Sequence, residues 1–103
     1  MKVEWSEPAL DDLQAIQLYI AHDSASYARR FVERAFAATD RLSAFPHMGR
    51  AVPEAGSPDI RELIYNEYRL IYQIVLPERV VVIAVVHGRR DLTRKELQPW
   101  NVD

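Results

Sequence analysis

The chain contains no cysteine, which excludes disulfides and thiolate metal sites from its chemistry. It has three glycines, and none stands in the G-x-G-x-x-G or Walker spacing that cradles a phosphate. No hydrophobic run approaches the length that crosses a bilayer. The longest, Val80 to Val86, is strand-sized. The first residues, Met1-Lys2-Val3-Glu4-Trp5, lack the apolar segment of a secretory signal, so a cytoplasmic location is expected. Nor is there a surplus of positive charge. Thirteen Lys and Arg stand against fifteen Asp and Glu, for a net charge of −2. A protein that coats itself with nucleic acid is basic overall, so any contact with a polyanion here has to be local. His22, His47 and His87 have no metal-ligand spacing, and neither a metal nor a cofactor is expected.

What is present is a core. About half of the 103 residues, 49%, are hydrophobic, enough for one two-layer domain spanning 1–103. Lys2 to Trp5 suits a short first strand. Ser6 fits a helix N-cap, with Pro8 and the acidic Glu7, Asp11 and Asp12 behind it. Leu10, Leu13, Ile16 and Ile20 fall near one face of a first helix. A second, from about Ala25 to Ala44, has the stripe Ala28, Phe31, Val32, Ala35, Thr39, Leu42 and Phe45. The break at His22-Asp23-Ser24 is short, so the helices form an antiparallel hairpin. Pro46 to Pro58 is a loop. Three strands follow, around Ile60 to Tyr65, Tyr68 to Leu76 and Arg79 to His87. The last is nearly all Val and Ile and is expected to be central. The tail from Asp91 to Asp103 holds a helical turn at Leu92 to Leu97, and Trp5 and Trp100 are suited to packing the termini. The predicted fold class is α+β: a β-α-α-β-β-β order with the helical hairpin on one face of a mostly antiparallel four-stranded sheet.

Two groups of residues point to function. Arg69 interrupts an apolar strand, and His87-Gly88-Arg89-Arg90 ends the last one. Arg69 is either an open-face arginine whose stem covers apolar surface or part of a cationic set. In the second case Arg69, His87, Arg89 and Arg90, with Arg94 beyond them, present guanidinium forks to an anionic target, and His87 is available for proton transfer. The second group is apolar. Leu18, Tyr19, Tyr27 and Phe36 fall off the buried stripes, and such a surplus suits an amphipathic partner helix followed by an extended segment.

Five short motifs then line up along the chain: Val3-Glu4-Trp5-Ser6-x-x-Ala9-x-x-Asp12-Leu13-x-x-Ile16, Phe45-Pro46-x-Met48-Gly49-Arg50, Ile60-Arg61-Glu62-Leu63, Tyr68-Arg69-Leu70-Ile71-Tyr72 and Val86-His87-Gly88-Arg89-Arg90-Asp91-Leu92. In this order and spacing the chain resembles the RelE/ParE superfamily of bacterial type II toxins, and within it the ParE-like branch. The resemblance implies a growth-arresting, plasmid-stabilising type of toxin that is silenced by a cognate antitoxin, for which Leu18, Tyr19, Tyr27 and Phe36 are the expected contacts. ParE-like members block DNA gyrase. RelE-like members instead cut messenger RNA on the ribosome, and under that alternative Arg69, His87, Arg89 and Arg90 are the catalytic set. No tyrosine follows Tyr72, and the chain is acidic overall. Both features favour a binding toxin that targets gyrase over an endoribonuclease. A remnant that only binds its antitoxin is the third alternative.

Overall fold

The computed structural model describes residues 1–101; the tail expectation for Asp91 to Asp103 runs two residues beyond them. Strand β1, Lys2–Trp5, leads into helix α1, Glu7–Ala21. The Ser6 hydroxyl accepts the Ala9 N–H at 3.2 Å, as the N-cap reading required. Ser24 caps helix α2, Ala25–Asp40, in the same way through Tyr27. The expected second helix reached Ala44, but the α-helix stops at Asp40, and a 3-10 turn, Arg41–Ser43, tightens the end. Four more strands follow: β2, Arg50–Ala51; β3, Ile60–Tyr65; β4, Tyr68–Val75; and β5, Arg79–His87. Lys95–Leu97 form one 3-10 turn in the tail.

The α+β fold of two helices on one face of a mostly antiparallel sheet stands as expected, with one correction. The sheet has five strands, in the order β1-β5-β4-β3-β2. The added strand β2 comes from within the segment expected to be a plain loop, and pairs with Glu62 and Arg61. Strand β1 runs parallel to β5, and every other pairing is antiparallel.

The two faces of the sheet are sealed differently. Tyr72, Ile74, Val80 and Val82 pack with Ala9 and Leu42 beneath the helices, while Leu13, Phe31 and Ala35 fill the neighbouring part of that layer. Two of the expected stripe residues are not in it. Leu10 and Phe45 are exposed, and the small Ala9 is fully buried in place of Leu10. A bulky side chain has no room where a helix comes this close to the sheet. On the opposite face, Ile60, Ile71, Ala84 and Val86 are covered by Val52, Ala55, Leu92 and Trp100. That face is therefore roofed by the loop after β2 and by the tail. The switch of phase between the faces occurs at Ile83, where β5 carries one extra residue against Ile71/Tyr72. Val82 lies under the helices, and Ala84 only two residues later lies under the roof.

Candidate functional site

The strand that carries Arg69 delivers it to the roofed face, where the residue is 6% exposed. Its Nε donates to Glu62 Oε1 at 2.5 Å, and Nη1 and Nη2 donate to the two Glu54 oxygens at 3.1 and 2.9 Å. Glu62, itself fully buried, also accepts from Arg50 Nε at 2.6 Å. The buried charges of Arg69 and Glu62 are thus paired, with Glu54 and the largely exposed Arg50 completing the network, as burial of charge demands. The open-face placement expected for Arg69 gives way to a closed network because Glu62 projects to the same face of β3 and the roof brings Glu54 over it.

A separate set of bonds holds several other motif residues in place. Tyr72 is fully buried; its hydroxyl donates to the Pro46 carbonyl at 2.7 Å and accepts the Gly49 N–H at 3.0 Å. Arg61 donates to the carbonyls of Gly49 and Pro58 at 2.8 Å each. These bonds lash the chain around β2 to β3 and β4, which is why its irregular backbone stays on the sheet.

The other expected cations lie at the rim, in three separate places. His87 and Arg89 line a hollow of about 260 Å³ with Ile64, Tyr68 and Arg69. His87 shares the helix-side face with Tyr68, ring centroids 5.6 Å apart, and its Nδ1 accepts the Arg89 N–H. Arg90 lies toward the start of α1, in a second hollow with Asp12 and Ser6. Arg94 is exposed and paired with Glu96 at 2.7 Å. The expected cluster of Arg69, His87, Arg89, Arg90 and Arg94 is thus one buried ion pair, one His/Arg rim, one arginine near α1 and one surface pair.

The apolar group divides as well. Tyr19 and Tyr27 border a hollow with Phe31 and Tyr68 at the turn of the helical hairpin, and the Tyr27 hydroxyl accepts from Asn66. Leu18 does not line that hollow and is 66% exposed. Phe36 is elsewhere, packed against Trp5 with the rings tilted at 58° and their centroids 4.9 Å apart. Nine residues separate it from Tyr27, which turns it to the opposite side of α2.

Asp12 has a task that its place in a helix-start charge pair did not reveal. Its carboxylate accepts the Val85 N–H at 3.0 Å, satisfying the edge of β5 beyond the last β1 pairing. Burial raises its pKa, against the lowering effect of that bond and of Arg90. The only sequence signal is an acid in the second turn of α1, facing a strand that outruns its neighbour. Glu54 behaves oppositely. The Arg69 hydrogen bonds hold its carboxyl below the usual value of 4.5. Its contribution to stability is therefore complete above pH 4.5 and is lost as pH falls through the lower folded value. In urea titrations from pH 7 to pH 3, the gap between the wild type and Glu54→Gln should be widest near neutrality and should close below pH 4.5.

Among the described residues, no group of three His, Asp or Glu is arranged to hold a metal ion, and no helix is long and apolar enough to cross a membrane. The fold is a two-helix layer on a five-stranded mixed sheet, with a short cationic segment after the final strand. The family model for the ParE toxin of the type II toxin–antitoxin system parDE matches residues 3–92. The chain belongs to that family. Its fold is similar to a solved structure described as a chromosomal ParDE TA system from P. aeruginosa, with a TM-score of 0.69 and 18% sequence identity over 84% of this chain and 95% of the other. No curated protein matches the sequence.

Proposed function

We propose that this protein is a toxin that arrests growth by binding DNA gyrase, without cutting RNA, and that a cognate antitoxin silences it. Membership of the ParE family supports the toxin class. The observation that carries the choice of target is the state of Arg69. A strand arginine that is to hold a scissile phosphate needs free N–H groups facing the substrate, and here three of them are spent on Glu54 and Glu62. The roof over that sheet face supports the same choice, because it occupies the room that a messenger RNA strand would need.

Under this reading the target contacts are the rim arginines, Arg89 and Arg90, which stand free of the buried network. The antitoxin contacts are Tyr19 and Tyr27, whose hollow beside Tyr68 suits the apolar face of a partner helix, together with the exposed Leu18. Changing Arg89 and Arg90 together to alanine should alter stability by about 0.5 kcal/mol or less, as for other exposed positions. A charge-assisted contact is worth about 1.5–3 kcal/mol, so target affinity should fall at least about tenfold and growth arrest should be relieved. Parallel melting curves and induced-growth curves check both halves. Unfolding of the double variant would make the arginines structural. Messenger RNA ends mapped after induction should show no cuts phased with codons.

A further inference from the structure

Helix α2 carries a row of cations that neither the ion-pair network nor the rim after β5 uses. Arg30 and Arg34 are exposed on its outer side. Arg41, the C-cap, is exposed too and keeps helical backbone, with φ −65° and ψ −19°. Offsets of four and eleven residues are close to whole turns of about 3.6, so the three side chains stand in one row roughly 16 Å long. Among the described residues, none of the three forms an ion pair. The exposed acids of the same helix, Glu33 and Asp40, are about two turns apart and form a second row beside the first. The outer surface of α2 is thus divided by sign, in a chain whose net charge is −2. The row also ends far from the rim. Arg41 is close to Ser43, whose carbonyl accepts from the Met1 nitrogen beside the start of β5. His87 and Arg89 stand at the other end of that strand.

We propose that the row of Arg30, Arg34 and Arg41 is a docking surface for the phosphate backbone of duplex DNA, bound without regard to sequence. Charge complementarity selects a polyanion, and three features narrow it to the duplex. The exposed positions along the row between Arg34 and Arg41 are Ala37 and Ala38, so the row lacks the large buried anchor that centres a protein–protein contact. Single strands are held by stacking on free aromatic faces, and the one ring beside the row, Tyr27, is covered by Arg30 at 5.9 Å. A straight, stiff row fits a straight, stiff polyanion, and duplex DNA presents about one negative charge per 1.7 Å of its axis. Contact of this kind is local, as an acidic chain requires, and is independent of what the toxin arrests.

A fluorescently labelled duplex of mixed sequence is titrated with the whole protein, and anisotropy is followed from about 20 to 150 mM potassium chloride. Three phosphate contacts at about 0.9 each predict that log K falls against log salt with a slope of about −2.7. Replacing all three arginines with glutamine should weaken binding at the lowest salt at least about tenfold and flatten the slope to near zero. The melting midpoint should be kept, because glutamine is about as good a helix former as arginine. The triple lysine variant should keep the slope, since counterion release needs only charge. Glu33→Gln should tighten binding, and Arg29→Gln, beside the acids, should leave the slope unchanged. Equal slopes in the wild type and the glutamine variant, or no binding of duplex at the lowest salt, would overturn the proposal. Tighter binding of a single strand or of polyglutamate would overturn it as well, by assigning the row to single-stranded nucleic acid or to an acidic protein. Should the glutamine variant melt early, loss of the slope in the lysine variant with no gain in Glu33→Gln would still overturn it.

Discussion

Replacing Arg69 with alanine is expected to destabilise the protein by about 3–5 kcal/mol, the cost of breaking a buried ion pair by removing one partner. Glu62 would keep only Arg50, whose side chain is 62% exposed, and Glu54 would keep no side-chain partner. Against a total stability of about 5–15 kcal/mol for a domain of this kind, that loss depletes the folded population at growth temperature. Toxicity should disappear together with the fold. The companion experiment replaces the whole network with apolar residues of similar size, for instance Arg69→Met with Glu62→Leu and Glu54→Leu. Removal of both signs should recover much of the lost stability. A normal melting temperature in Arg69→Ala with toxicity abolished would instead make Arg69 a target contact.

Gly49→Ala should be the other severe change. A Cβ on Gly49 would stand 2.5 Å from the Glu62 carbonyl oxygen and 2.7 Å from the Tyr72 hydroxyl. The first of these is backbone in a paired strand, and the second is a fully buried ring held by Pro46 and by Gly49 itself. Neither neighbour can yield without breaking bonds, so the methyl forces β2 off the sheet. Overpacking costs about 1–3 kcal/mol, and loss of the Tyr72 bonds adds to it. At roughly 4–8 °C per kcal/mol for a domain of about this size, a drop of about 10 °C or more in Tm is expected. Differential scanning calorimetry of the two proteins measures it directly. A Tm within a degree of wild type would show that the β2 segment is not anchored as described.

The elements that the sequence makes plain are those encoded by local rules. Ser6 and Ser24 announce their helices because a hydroxyl at an N-cap has one favourable use. The Val80 to Val86 run announces a strand because β-branched residues suit nothing else so well. Strand β2 escapes notice because two residues carry no periodicity; its pairing depends on Arg50 meeting Glu62, twelve positions away. The bulge at Ile83 escapes for a different reason. A continuous apolar run reads the same in either phase, so nothing in it marks where the faces exchange.

The site was legible only as a set of residue types. Arg69 is conspicuous as a charge in an apolar strand, but its fate is decided by Glu54 in an irregular segment and by Glu62 on the neighbouring strand. Alternation along one strand does not reveal which acids the fold will bring to it. Likewise, Leu18, Tyr19, Tyr27 and Phe36 are exposed as their off-stripe positions suggest, yet Phe36 points to the opposite side of α2 from Tyr27 and packs against Trp5. Off-stripe position identifies exposure but not contiguity. The motif Pro46-x-Met48-Gly49-Arg50 marks the lashing of β2 to Tyr72 and Glu62, a structural role that only the folded chain makes visible.

The central claim, that this ParE family member acts by binding gyrase, is tested most directly with purified components. Relaxed plasmid, DNA gyrase and ATP are incubated with the toxin, and the DNA topology is resolved on a gel. The account predicts that supercoiling is blocked by the wild-type protein and restored when Arg89 and Arg90 are both alanine. Undiminished supercoiling at toxin concentrations well above that of gyrase would contradict it.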